Sequence, residues 1–199
     1  SWINLPHVTQ HDLADITEME ADRLRIKKLK QNKDIKISPL AYVMKACSIV
    51  LKDFEKINSS LAEDGHSIIL KSYINIGFAA DTENGLVVPV IKDVDKKSLI
   101  EIAKELLRLS VKARAGKLSS DEMQGATFTI SSLGGIGGTA FTPIINAPEV
   151  AILGLSRSTT QPVWSGSEFE PKLMLPLSFS YDHRVIDGAY AVRFTTALC

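Results

Sequence analysis

The sequence predicts an α+β domain, a two-layer sandwich in which helices pack on a mixed or antiparallel sheet. Helical patterns occur as a pair near the start, once near the middle and once at the end, and strand patterns occupy most of the rest. Because strands and helices do not alternate regularly, a Rossmann or barrel layout is not expected. The 199 residues contain no repeat, low-complexity segment or flexible linker, so we expect a single domain over residues 1–199.

Capping residues and proline indicate where the helices begin. Thr17 with Glu20 has the spacing of a capping box and predicts a first helix. Ser38-Pro39 predicts the start of a second helix, because proline is favoured in the first turn. Ser98 with Glu101 is another capping box, and it opens the long amphipathic pattern SLIEIAKELLRLSVKARAGK.

Strands and hairpins account for most of the remaining chain. PHVTQHDLADIT alternates as a strand does, and INSSLAE and SIILK flank an Asp64-Gly65 turn. YINIGFAAD and GLVVPVI are joined through Glu83-Asn84-Gly85, a second hairpin signal. Further strands are predicted in ATFTISSL, EVAILGLS and the segment that runs into SYDHR.

The composition excludes several functional classes. The formal net charge is zero, so no bias toward nucleic acid is expected, and the longest apolar run, AYVMKACSIVL, is interrupted by Lys45 and is too short for a membrane span. Two cysteines, Cys47 and Cys199, make no disulfide framework and favour a reducing compartment. His7 and His11 lie in a strand-like segment without metal-site spacing, so no metal is expected.

The glycine-rich stretch SSLGGIGGTAF formally contains a dinucleotide-binding pattern at Gly135–Ala140. Such a loop must open a helix, but Pro143 and Pro148 follow and disfavour one. We therefore expect a loop whose glycines supply positive φ angles or close backbone approach. The basic stretch RLRIKKLKQNK is expected to be the solvated face of a helix rather than a phosphate site, and Cys47 a core residue rather than a nucleophile.

The stretch SYDHRVIDGAY contains a lone histidine, His183, at the end of an apolar strand. Such a residue is either structural or a catalytic base. Asp187 stands where the N-cap of the final helix belongs. Val185, Ile186 and Gly188 indicate a strand that runs into a turn, so Asp187 is not assumed to bond to His183 directly.

Several stretches together resemble the catalytic domains of the dihydrolipoamide acyltransferases, the E2 components of 2-oxo acid dehydrogenase complexes. HRVIDG matches the family motif H-x-x-x-D-G, and FTISSLGG and INAPEVAILG occur in the family's order. The resemblance covers nearly the whole chain, and the wording of NAPEVAILG is most similar to the acetyl-transferring branch in the pyruvate dehydrogenase complex. The implied fold is that of chloramphenicol acetyltransferase.

The resemblance implies acetyl transfer between the thiols of dihydrolipoamide and coenzyme A. His183 matches the family's general base, Ser131 its oxyanion donor, and Asp187 a residue that fixes the active-site turn through a basic partner or a cap. The alternative is a purely structural role, in which the hydroxyl of Ser131 forms a hydrogen bond with a backbone group at the strand end. Ser132 lies beside it, and strand alternation lets only one of the two reach the substrate.

The resemblance also implies partners. Coenzyme A is expected as a substrate, and the lipoyl group is expected on a separate domain. Family trimers place the histidine and the serine on adjacent subunits, and E1 and E3 components bind through upstream domains that are not visible in this sequence. Family chains usually continue past the last helix, so we expect a trimer that forms larger cores poorly. The location is expected to be a bacterial cytoplasm or a mitochondrial matrix.

Three alternatives stay open. An acyl-CoA transferase of the chloramphenicol type acts on a hydroxyl and ignores dihydrolipoamide. A non-catalytic core scaffold of the same fold has no need of His183 or Ser131. A serine hydrolase that uses both residues is disfavoured, because the sequence has no G-x-S-x-G elbow.

Overall fold

The computed structural model describes residues 5–29, 36–83 and 85–199, and within them a seven-stranded mixed sheet forms the centre of the domain. The four α-helices are α1 (Thr17–Lys28), α2 (Pro39–Val50), α3 (Leu99–Arg114) and α4 (Gly188–Leu198). The strands are β1 (His7–Asp15), β2 (Ser59–Leu61), β3 (Ile68–Leu70), β4 (Ile76–Phe78), β5 (Ala80–Thr82), β6 (Gly85–Val87), β7 (Val90–Ile91), β8 (Phe128–Ser132), β9 (Ala151–Leu155), β10 (Thr159–Trp164) and β11 (Phe169–Asp182).

The main sheet has the order β1-β11-β9-β8-β4-β7, and β10 pairs with the first part of β11. β9, β8 and β4 run parallel, and the other pairs are antiparallel. The predicted mixed sheet is thus confirmed. β11 is the longest strand, with 14 residues, and its far end delivers the segment that contains His183.

One face of the sheet packs on the helices. Phe194 of α4 stacks on Phe179 of β11 with ring centroids 4.9 Å apart, and meets Phe128 of β8 at 6.0 Å. Phe128, Phe179 and Phe194 are all fully buried. Burial of large aromatic side chains is the main stabilising contribution at such a contact. The helix layer therefore fixes the start of α4, which follows the His183 turn directly.

The opposite face of the sheet is polar where the chain from Leu133 to Glu149 covers it. Thr129, Ser178 and Ser180 project there and are almost fully buried. Phe141 of the covering segment lies over Gly154, where an added Cβ would come within 2.6 Å of the ring. A side chain at position 154 would therefore displace the covering segment.

The helices α1, α2 and α3 all begin at or beside the residue that their patterns predict, α1 at Thr17 included, but the predicted start residues act as expected at only two of them. Ser98 and Glu101 form both hydrogen bonds of a capping box at α3, and Pro39 opens α2. The capping box at Thr17 is wrong: the Thr17 hydroxyl donates to Asp15, and Glu20 pairs with Arg23 at 2.7 Å. The carboxylate of Glu20 therefore pairs with Arg23 inside the helix and does not bond to the backbone at the helix start. α1 ends at Lys28, and residues 30–33 of its predicted extension lie outside the described residues.

The hairpin around Asp64-Gly65 is confirmed by the antiparallel pair β2 and β3. The longer hairpin around residues 83–85 is divided into two pairs. β5 and β6 form a separate two-stranded sheet, while β4 and β7 belong to the main sheet. None of the helices among the described residues has the length and apolar character needed to cross a bilayer.

Candidate active site

His183 lies in a turn between β11 and α4, with its side chain exposed. Its backbone N–H donates to the carbonyl of Pro6 at 3.0 Å, and its ring centroid lies 6.0 Å from that of Tyr181. Val185 and Ile186 are buried in the core just after it. The fold thus anchors the chain on both sides of His183 and presents the imidazole to the outside.

Asp187 is the N-cap of α4, as the sequence predicted. Its Oδ1 accepts a hydrogen bond from the backbone N–H of Tyr190 at 2.9 Å. Among the described residues, no hydrogen bond joins Asp187 to His183. Burial first, and then the negative charge of Asp187, raise the pKa of Tyr181, which places this carboxylate near the ring that flanks His183. Of the two expected modes for Asp187, the cap is the one present in this chain.

Ser131 lies at the end of β8, half-buried on the polar face of the sheet. Its side chain makes no hydrogen bond to any described residue, so the interpretation of Ser131 as a hydroxyl that satisfies a backbone group is wrong. Ser132, one residue on, is exposed and projects from the opposite face, as strand alternation requires. The free hydroxyl is therefore available to a ligand or another chain.

Ser131 and His183 do not come together within one chain. Ser131 pairs with Gly154 of β9, and Gly154 pairs with Ser178 of β11, so the three residues form one row across the sheet. His183 lies beyond the end of the same strand, roughly 16 Å farther along at about 3.3 Å per residue. Across the sheet, Ser131 on β8 and the line of β11 are also two strand spacings apart, each of about 4.8 Å. One substrate atom cannot contact both side chains of the same chain.

A cavity of about 410 Å³ opens beside Ser132, on the helix side of the sheet. Its floor is apolar, with Phe78, Leu106 and neighbouring aliphatic side chains. Lys36 and Arg114 line it as well, together with one carboxylate, Asp81. Neither of the two basic side chains forms an ion pair with any described carboxylate. The cavity therefore offers apolar contact area and two cationic groups next to the strand that carries Ser131.

Glu149 is a buried carboxyl group on the polar side of the sheet, 3% exposed. Its Oε1 accepts a hydrogen bond from Asn146 at 3.1 Å, while Oε2 has no hydrogen-bond partner within the described part of the chain. Burial raises the pKa of Glu149 to about 7, against the opposing effects of Thr129 and Asn146, which favour the ionised form. A carboxyl group in this environment is protonated over much of the acidic range.

The glycine-rich segment runs through turns and opens no helix, as Pro143 and Pro148 led us to expect. Gly137 and Gly138 have φ angles of 151° and 85°, and a Cβ on Gly134 would lie 3.2 Å from the carbonyl of Ser156. Both expected reasons for glycine in this loop, positive φ angles and close backbone approach, are therefore present.

Cys47 is fully buried, and burial raises the pKa of its thiol, which agrees with a core residue rather than a nucleophile. No cluster of three or more His, Cys, Asp or Glu side chains that could hold a metal ion occurs in the described part of the chain.

Two features of the site are not visible in the sequence: the cavity that Lys36 and Arg114 both line, and the ion pair between Asp182 and Arg184. Lys36 and Arg114 are far apart in sequence and share no motif, so only the fold reveals that they line one cavity. Asp182 and Arg184 flank His183, but their adjacent positions gave no sign that Asp182 is fully buried. The available signal was the residue types alone, an aspartate at the end of an apolar strand two residues before an arginine, which is compatible with a buried ion pair.

Comparisons with known proteins match this geometry. The family model described as 2-oxoacid dehydrogenases acyltransferase (catalytic domain) matches residues 1–199. The chain is 60% identical over 198 residues to the dihydrolipoyllysine-residue acetyltransferase component of the pyruvate dehydrogenase complex from Pseudomonas aeruginosa. That alignment covers 100% of this chain and 36% of the relative, so the chain spans about a third of that relative's length.

Solved structures give the same result. Azotobacter vinelandii dihydrolipoamide acetyltransferase, studied for the role of a serine, a histidine and an asparagine in its catalytic mechanism, has a TM-score of 0.97 and 58% identity, over 99% of this chain and 81% of that one. The cubic core of the pyruvate dehydrogenase multienzyme complex gives the same values. Chloramphenicol acetyltransferase has a TM-score of 0.66 at 14% identity, over 98% of this chain and 87% of that one, and so shares the fold.

Proposed function

Because this chain belongs to the family of 2-oxoacid dehydrogenase acyltransferase catalytic domains, we propose that it transfers an acetyl group between the thiols of dihydrolipoamide and coenzyme A. The observation that carries the proposal is the placement of Ser131, His183 and Asp187. Their sequence intervals equal those of the serine, histidine and asparagine studied in the Azotobacter enzyme, with aspartate here in place of the asparagine.

His183 acts as the general base. A thiol with a pKa of about 8.5 is only a few per cent thiolate near pH 7, so it needs a base to become nucleophilic. A histidine side chain ordinarily has a pKa of about 6.5, and the mismatch of roughly two units costs about 2.7 kcal/mol that positioning must offset. The exposed imidazole on an anchored turn suits this role.

Ser131 donates a hydrogen bond to the oxyanion. Attack of the thiolate on the thioester carbonyl forms a tetrahedral intermediate with a negatively charged oxygen. The hydroxyl of Ser131 makes no hydrogen bond to a described residue, so it can donate to this oxygen. The intermediate then collapses, and the departing thiolate recovers the proton from the imidazolium of His183. A single donor of this kind commonly contributes 10²–10³-fold to the rate.

The complete site lies between two subunits. The separation of Ser131 and His183 within one chain supports this arrangement, because base and oxyanion donor must meet at one carbonyl group. A trimer with cyclic symmetry brings the histidine of each subunit to the serine of the next and closes the ring. Three equivalent sites result.

Coenzyme A binds with its phosphate-bearing part at the cavity beside Ser132. Lys36 and Arg114 meet the phosphates, and the apolar floor receives the less polar part of the arm. The carboxylate of Asp81 faces the cavity too, so the anionic groups must lie at the basic side. Ser131 lies on the other face of the sheet from this cavity, and Ser132 is its neighbour at the end of β8, so the arm has to pass around that strand end to reach the reacting carbonyl.

The partners follow from the relatives. One matching structure is the cubic core of the pyruvate dehydrogenase multienzyme complex, which supports assembly of trimers into a larger core by the full-length protein, while the present 199 residues are still expected to form such cores poorly. The lipoyl group belongs to a separate domain; the E1 component loads the acetyl group onto it, and the E3 component reoxidises the dihydrolipoyl group that remains after transfer to coenzyme A. We place the protein in a bacterial cytoplasm, or in a mitochondrial matrix if the source is eukaryotic.

Acetyl transfer from acetyl-CoA to dihydrolipoamide tests this function, with wild type and His183→Ala compared. We expect acetyl-dihydrolipoamide from wild type and a loss of at least about a hundredfold in the folded variant. Transfer to chloramphenicol or another alcohol, with dihydrolipoamide ignored, would instead indicate a chloramphenicol-type enzyme. Coenzyme-independent hydrolysis would indicate a hydrolase, and the absence of all three reactions a scaffold.

A further inference from the structure

The turn that presents His183 is organised by the side chain of Asp182. This carboxylate is fully buried. Its Oδ1 accepts hydrogen bonds from the backbone N–H of Arg184 at 3.0 Å and from the Nε of Arg184 at 3.0 Å. Its Oδ2 accepts from the same Nε at 3.2 Å and from Nη2 at 2.6 Å. One buried carboxylate therefore holds both the main chain and the side chain of Arg184.

The backbone of Asp182 completes this arrangement. Its N–H donates to the carbonyl of Val150 on β9 at 2.8 Å. Its carbonyl accepts from the N–H groups of Val185 and Ile186, each at 3.0 Å. The three residues after His183 are thus tied to Asp182, while the N–H of His183 bonds to Pro6. The path of the chain at His183 depends on this single residue.

A buried carboxylate is tolerated only with a charged or fully hydrogen-bonded partner. Arg184 supplies that charge with a planar fork, and its own side chain is 42% exposed. Several other titratable groups lie near the pair. His7 is opposite Asp182 in the β1–β11 pairing, Asp187 caps α4, and Glu63 and Glu149 line the cavity beside the pair. None of them replaces the bidentate contact of Arg184.

We propose that Asp182 and Arg184 are positioning residues that hold the imidazole of His183 at the reacting thiol. This inference rests on the proposed acetyl transfer, and it assigns the pair no contact with substrate. A displacement of about 1 Å in a catalytic group costs up to about a hundredfold in rate. Loosening the turn should therefore lower kcat while substrate binding, which depends on other residues, is retained.

The test compares three variants at the pair with a matched control, after each is shown to have the oligomeric state and circular dichroism of wild type. Arg184→Gln leaves Asp182 buried without its cation, and we expect kcat for acetyl transfer to fall at least about tenfold, with both KM values within about threefold. Arg184→Lys keeps the charge but not the fork, so it should recover part of the lost kcat. Asp182→Asn/Arg184→Gln removes the unpaired charge, so it should exceed Arg184→Gln in stability.

Arg108→Gln is the matched control, because Arg108 of α3 pairs with Glu105 of the same helix and with Glu122 beyond the end of that helix, outside the His183 turn. It should leave kcat unchanged even where it lowers the melting temperature. The proposal is overturned if Arg184→Gln keeps kcat within about twofold, or if Arg184→Lys recovers none of the loss. If wild type itself transfers no acetyl group, the proposed function fails and this inference fails with it, an outcome that is distinct from an active wild type with active variants.

Discussion

Ser131 lies level with Ser178 of β11, while His183 lies beyond the end of that strand, so the two residues cannot meet within one chain. The long strand β11 produces this separation, because it carries the histidine past the rows of the sheet that face Ser131. If both residues act as proposed, a monomer holds two half-sites, one at each place. Catalysis by both residues requires a second copy of the chain.

The Ser131 hydroxyl should contribute to the rate and not to binding. Ser131→Ala is expected to lower kcat by 10²–10³-fold with little change in either KM, because the donor is used only when the oxyanion forms. Steady-state kinetics of acetyl transfer measure this. Ser132→Ala is the comparison variant: Ser132 lines the cavity proposed for coenzyme A on the opposite face of the sheet, so the effect should be confined to the KM for coenzyme A. Equal kcat losses in both variants would contradict the assignment.

The two basic residues of the cavity should recognise the phosphates of coenzyme A. Lys36→Ala and Arg114→Ala are each expected to raise the KM for coenzyme A several-fold while kcat is retained, and the effect should weaken at high salt. Lys104→Ala, an exposed lysine on α3 that does not line the cavity, is the control.

Dephospho-coenzyme A, which lacks the 3′-phosphate, sharpens this measurement. Wild type should prefer coenzyme A over the dephospho form, and a variant that has lost the relevant contact should lose the preference. An unchanged preference in both variants would place the 3′-phosphate elsewhere.

Glu149 should make the protein less stable as the pH rises. The pKa of its carboxyl is about 7 in the folded chain, above its usual value of 4.5. The unfolded chain therefore releases this proton first, and the stability present below pH 4.5 is lost as the pH rises toward 7. The loss amounts to about 3 kcal/mol per chain.

Glu149→Gln keeps the shape of the side chain and removes the titration. Denaturant unfolding of wild type and variant between pH 4.5 and 7 provides the measurement, with the pH range taken from the usual and raised values. The difference in free energy of unfolding should shift in favour of the variant as the pH rises. A difference that is constant across this range would show that Glu149 is ionised in the folded chain.

Asp187 should act through the helix that it caps. Asp187→Ala removes the hydrogen bond to the N–H of Tyr190 and should cost about 1 kcal/mol in free energy of unfolding. Asp187→Asn retains an oxygen acceptor, and asparagine is the residue studied in the Azotobacter enzyme, so this variant should keep most of the stability and of the activity. Thermal unfolding should rank the melting temperatures as wild type, then Asp187→Asn, then Asp187→Ala. If Asp187→Asn is as unstable as Asp187→Ala, the helix cap is not the reason for the stability loss.

The sequence was sufficient where local chemistry determines the structure. Ser98, Glu101, Pro39 and Asp187 act at helix starts through neighbours in the chain, and each was found where its pattern indicates. Thr17 shows the limit of such reasoning, because Arg23 competes for the carboxylate of Glu20 through an ion pair that a capping pattern does not include.

The site was predictable in part for a similar reason. His183 and Ser131 are marked by motifs, whereas Lys36 and Arg114 meet only through the packing of α3 beside the sheet. The free hydroxyl of Ser131 and the complete burial of Asp182 depend on which face of the sheet is covered, and that is a tertiary property.

Subunit complementation tests the central claim most directly. His183→Ala and Ser131→Ala chains, each inactive alone, are co-refolded in equal amounts, and acetyl transfer is compared with wild type treated in the same way. Every mixed trimer holds one site with an intact histidine from one chain and an intact serine from the next, and random mixing makes about three quarters of the trimers mixed. The account therefore predicts recovery of about a quarter of wild-type activity. No recovery from verified mixed trimers would contradict a site built from the histidine of one subunit and the serine of its neighbour.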